Sequence, residues 1–165
     1  MNYKGCVIVN RFEELLAESE KDNIVIVEKN FKSKALGLCK GNKIGLSKRL
    51  TTTAEKACIY AEEYHGHYKT TVGDITNLKD ISNAKQEAIA HAKAIGRLCS
   101  LSHIVSAINS GANDRYEIAE YLTITDSFFD EAIEYHKRKH GIYCECDDII
   151  LYFDNGLGII RKDIN

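Results

Sequence analysis

The stretch Tyr60-Ala61-Glu62-Glu63-Tyr64-His65-Gly66-His67 crowds two carboxylates and two imidazoles into two helical turns. A helix whose only task is packing has little use for so many hard and borderline metal donors, so the stretch reads as a metal site. Twenty positions after His67, Glu87 opens another helical pattern, with His91 one turn beyond it. A second helix can therefore bring a further ligand to the same ion, which is how a helix-based zinc hydrolase is built.

Catalytic Zn2+ needs three protein ligands and an open position for water, and one helix supplies two of them only from residues three or four apart on one face. The pairs on offer are Glu62 with His65, or Glu63 with His67. Glu87 is the natural third donor, and His91 can support a ligand from behind. A spare carboxylate beside the metal would take a proton from water and hand it to the leaving amine. The same residues would also suit the polar face of an amphipathic helix, and spacing alone does not choose.

The chain has 165 residues, 44% of them apolar, which is enough for one sizeable core with room for an appended subdomain. A net charge of -2 gives no global attraction for phosphate backbones or anionic lipid. The N-terminal apolar run Cys6-Val7-Ile8-Val9 is too short for a secretion signal, and no uninterrupted apolar span has membrane length. A cytoplasmic protein that binds neither membrane nor nucleic acid is expected. The scattered cysteines (Cys6, Cys39, Cys58, Cys99, Cys144, Cys146) fit a reducing compartment, where they act as small apolar residues. Cys144-x-Cys146 lacks the C-x-x-C spacing of zinc knuckles.

Several elements must position these donors. Asn10 and Glu13 resemble a capping box, and Phe12, Leu15, Leu16 and Ser19 mark one face of a helix over 10–21. Ile24 to Val27 is a β-branched run, and the segments 34–39 and 43–47 flank Lys40-Gly41-Asn42 as a hairpin, together predicting a small antiparallel sheet. Thr52-Thr53-Ala54-Glu55 is a capping box, followed by an inner stripe of Ala54, Ala57, Cys58 and Ala61. The donor cluster thus falls at the C-terminal end of that helix. A loop over 70–82 follows, and Asn83 is the expected cap of a helix running to about Cys99, whose alanines permit close packing.

Residues 102–140 give three helical patterns, and Tyr116 to Phe129 has the apolar spacing of a helix-turn-helix. Its second helix would present Asp126, Asp130, Glu131 and Glu134 before its first cation, Lys137, so it would press carboxylates against phosphates. Lys137-Arg138-Lys139 instead complements the dipole at a helix C-terminus. Segments 142–153 and 159–160, joined through Asn155-Gly156-Leu157-Gly158, predict a closing hairpin.

Local strings along nearly the whole chain resemble the ImmA/IrrE metallo-endopeptidases, in particular their phage and integrative-element branch. They are Glu28 to Ala35, Ala54-Glu55-Lys56-Ala57-Cys58, Ala61-Glu62-Glu63, Thr70 to Ile75, Lys85-Gln86-Glu87 and Tyr116 to Leu122. The resemblance implies an α+β fold. Residues 1–100 would form a zincin-like metallopeptidase core, a small antiparallel sheet plus the active-site helices, while 101–165 would add the helix-turn-helix-like helical segment and closing β-hairpin, packed on the core as one domain overall. It also implies Zn2+ held by Glu62, His67 and Glu87, with Glu63 as general base.

One departure matters. The branch places the histidine four after the first ligand, whereas His67 falls five after Glu62. On a regular helix that extra residue rotates His67 by about 100°. A π-bulge can absorb the insertion and restore His67, His65 can take over as ligand at i+3, or the site can be lost. The activity implied is zinc-dependent cleavage of a helix-turn-helix repressor, derepressing a phage or mobile element. The rival is a degenerate homologue that sequesters the repressor without cutting it.

Overall fold

A computed structural model describes residues 10–70 and 81–162, which divide into two compact units, 10–98 and 99–162. The class is α+β, with two three-stranded sheets among the described residues. No helix among them is long and apolar enough to cross a membrane.

In the first unit, Asn10 caps α1 (Arg11–Glu20) by accepting the Phe12 amide at 3.2 Å, and Leu15 and Ser19 are its buried residues. β1 (Val25–Lys29), β2 (Gly37–Lys40) and β3 (Lys43–Ser47) follow. β2 and β3 form the expected hairpin, turning at Gly41 with φ +59°, where glycine carries no steric penalty. The sheet is mixed, however, and not antiparallel. Its order is β1-β3-β2, so β1 lies parallel to β3. Residues 30–36 carry the chain past the central position, so the hairpin returns its second strand beside β1 in the same direction.

The capping box closes as the sequence requires. Thr52 accepts the Glu55 amide at 3.1 Å and Glu55 accepts the Thr52 amide at 2.9 Å, starting α2 (Thr53–Ala61). Ala57, Cys58, Tyr60 and Ala61 are buried, whereas Ala54 is only half-buried. The chain continues without a break into a π-helix, Glu62–Tyr68. α3 is described over Ile81–Leu98, so Asn83 lies inside the helix and does not cap it. The expected loop over 70–82 falls largely outside the described residues.

In the second unit, α4 (Leu101–Asn109), α5 (Arg115–Leu122) and α6 (Asp126–His140) match the three helical patterns. Three residues join α5 to α6, with Thr123 left-handed at φ 55° and Thr125 capping α6 through the Phe128 amide. The C-terminal segment is a three-stranded meander of β4 (Tyr143–Cys146), β5 (Ile149–Tyr152) and β6 (Gly158–Arg161). The expected single strand over 142–153 is itself a hairpin, because Asp147 takes φ 54° and turns the chain. Arg161 ties the meander to α4, donating to the Ile108 carbonyl and to Asn109 Oδ1, each at 3.2 Å.

Candidate metal centre

The donor stretch is held in the wider coil of a π-helix, whose hydrogen bonds run i to i+5. That coil stacks residues five apart, which puts Glu62 and His67 against the same neighbour, α3. His67 Nε2 lies 3.3 Å from Glu87 Oε2, and Glu62 Oε1 is hydrogen-bonded to His91 Nδ1. Glu87 and His91 are one turn apart on α3, so the two pairs form successive rungs between the helices.

The rungs close because the helices nearly touch. A Cβ built on Gly66 would lie 2.7 Å from the Ala90 Cβ and 2.8 Å from its Cα and carbonyl oxygen. Only glycine fits there, and alanine opposite keeps the approach short.

Glu63, 9% exposed, points to the other side, under the edge strand β2. It accepts a hydrogen bond from the Cys39 amide. A Cβ on Gly37 would come within 2.4 Å of Glu63 Oε1, so this glycine too makes room for a site carboxyl. Burial, followed by the charges of Glu62 and Glu87, pushes the Glu63 carboxyl up to about 8. Burial and the charge of Glu63 likewise push the Cys39 thiol up to about 11.

His65 faces away from this cluster. Its Nε2 lies 2.9 Å from Glu18 Oε2 on α1, and Arg97 Nε donates to Glu18 Oε1 at 3.1 Å. The Arg97 guanidinium holds the Glu18 carboxyl below the usual range. Tyr64 donates to Asp22 at 2.7 Å, Tyr60 donates to Ser19 at 2.5 Å, and Tyr60, Tyr64 and Tyr68 stack in one ladder. The back of the π-helix is thereby fastened to α1 while its front meets α3.

The structure thus pairs His67 with Glu87 and Glu62 with His91, places Glu63 under β2, and sets His65 with Glu18. Among the described residues, no group of three or more His, Cys, Asp or Glu side chains is gathered ready to hold a metal ion. The donors stand paired instead. Their chemistry nevertheless suits a divalent cation: Glu63 is pushed toward its neutral form by burial first and then by the charges of Glu62 and Glu87. A cation among them would relieve that repulsion, and the oxygen and imidazole donors are those Zn2+ accepts.

Protein-family models, curated proteins and solved structures offer no match to this chain.

Sequence reasoning did not reach Gly37 and Cys39 as the cover of Glu63, or the Glu18–Arg97 support behind His65. A glycine inside a strand pattern does signal close backbone approach, and Gly37 carried that signal. Glu18 and Arg97 lie 79 residues apart, with nothing local to link them.

Proposed function

We propose that this chain is a zinc-dependent endopeptidase of the ImmA/IrrE type acting on a helix-turn-helix repressor. The observation that carries the reading is the π-helix, which turns the five-residue Glu62 to His67 spacing into a shared face opposite Glu87. Glu62, His67 and Glu87 would hold Zn2+, whose Lewis acidity would activate water and polarise a scissile carbonyl. Glu63, one residue from a ligand and screened from solvent by β2, is the group to take the proton from water and deliver it to the departing amine. Gly37, lacking a side chain, lets β2 close over the Glu63 carboxyl.

The closed pairing of each histidine with a carboxylate favours a second reading, a repressor-binding module that no longer cuts. Incubating the zinc-loaded chain with a candidate helix-turn-helix repressor from a neighbouring gene, and reading fragments by mass spectrometry, separates the two. Defined fragments that vanish in Glu63→Gln support the peptidase. Intact repressor that co-purifies with the zinc-loaded chain would replace it with the binding module.

A further inference from the structure

The first sheet has one face that, among the described residues of its unit, is covered at Gly45 by the Phe31 ring and leaves apolar side chains exposed around it. Parallel strand pairs are ordinarily covered on both sides. Here Ile44 and Leu46 of the central strand are fully buried, while Val25, Val27 and Leu38 on the opposite face are 45%, 44% and 43% exposed. Gly45 sits between Val27 and Leu38 in register, its missing side chain admits the Phe31 ring, and a trough of about 450 Å³ lies along Val27, Leu38 and Gly45. Lys29, Lys40 and Lys43 rim the trough, and no carboxylate lines it. This positive rim belongs to a chain of net charge -2, so it is a local feature.

We infer that this trough docks an acidic, aliphatic-bearing peptide segment of a partner protein, with aliphatic side chains against Val27 and Leu38 and carboxylates on Lys29, Lys40 and Lys43. An exposed apolar patch rimmed by charge is the form of an interaction site. The charge sign selects an acidic partner, and the apolar floor selects against a bare phosphate backbone, which needs cations and no aliphatic contact. A flat bilayer cannot fill a trough. Docking here needs no hydrolysis, so it stands or falls independently of the peptidase reading.

The test is fluorescence anisotropy of the full chain with a labelled synthetic peptide of alternating glutamate and leucine. Two controls replace every leucine with serine or every glutamate with lysine. The substituted side chains are exposed, so Lys29→Glu/Lys40→Glu/Lys43→Glu and Val27→Ser/Leu38→Ser should keep the parent's circular dichroism. Each should weaken the alternating peptide by about tenfold or more, and higher salt should weaken it further. Both control peptides should bind less well than the parent peptide. Several results would overturn the inference: unchanged affinity in the lysine variant, equal binding of the serine control, or tighter association with phosphatidylglycerol vesicles than with the peptide. Self-association of the chain that these same substitutions abolish would assign the trough to a second copy instead.

Discussion

Gly66 and Ala90 are pressed together so closely that a methyl group on Gly66 would lie 2.7 Å from the Ala90 Cβ. Gly66→Ala should therefore force the π-helix and α3 apart. Alanine gains up to about 1 kcal/mol in helix propensity, but overpacking of this kind costs about 1–3 kcal/mol. The clash wins, because backbone atoms of Ala90 are among those struck. Both rungs, Glu62 with His91 and His67 with Glu87, span the widened gap. The expected outcome is a lower melting temperature and weaker zinc uptake. Adding Ala90→Gly removes only the Cβ contact and leaves the Cα and carbonyl, so rescue should be partial; calorimetry with metal analysis checks both.

Glu87 is 41% exposed on α3 and packs little, so Glu87→Ala should leave the circular dichroism spectrum unchanged. Zinc content should fall to near background, since the proposed site would lose its only ligand from outside the π-helix. Undiminished zinc by elemental analysis would remove Glu87 from the site.

The two motif histidines should separate cleanly. His67→Ala removes the group facing Glu87 and should abolish zinc uptake with little loss of stability. His65→Ala should spare zinc uptake and lower thermal stability, because it strips a partner from Glu18 and loosens the π-helix from α1. Zinc loss in the His65 variant alone would invert the assignment.

Elements with local signals were legible in the sequence. The Thr52–Glu55 capping box, the Gly41 hairpin and the three helical patterns over 102–140 each rest on contacts within a few residues, and each is present. The parallel placement of β1 was not legible, because strand order depends on contacts across the sheet. The turn at Asp147 was missed because its left-handed conformation is carried by an aspartate, without a glycine to mark it. In the candidate site, the one-residue spacing change left a π-bulge, a His65 ligand or loss of the site open, and the helix there is a π-helix over Glu62–Tyr68. Which way His65 would face was not legible, since Glu18 on α1 settles it.

α6 exposes Asp126, Asp130, Glu131 and Glu134, with Asp130 paired to Arg115 at 2.6 Å. A gel-shift titration at moderate salt should show only weak background binding to DNA, as carboxylates would meet phosphates along that face. Submicromolar, salt-sensitive binding would defeat the charge argument.

His136 supplies the clearest pH dependence outside the candidate site. It is 4% exposed in α6, its Nε2 donates to the Cys99 carbonyl at 2.8 Å, and its Nδ1 has no partner among the described residues. Burial lowers its pKa from the ordinary 6.5, helped by the charges of His140 and Lys139 and opposed by the Cys99 carbonyl. The folded state therefore takes up this proton less readily than the unfolded chain. Stability from the neutral ring is fully present above about pH 6.5 and is lost as the pH falls through that value toward the lower folded-state pKa. His136→Gln keeps a donor for the Cys99 carbonyl but cannot titrate. Melting temperatures measured between pH 5 and 8 by circular dichroism should fall on the acid side in the parent and fall less in the variant. Parallel curves would mean that other groups carry the acid sensitivity.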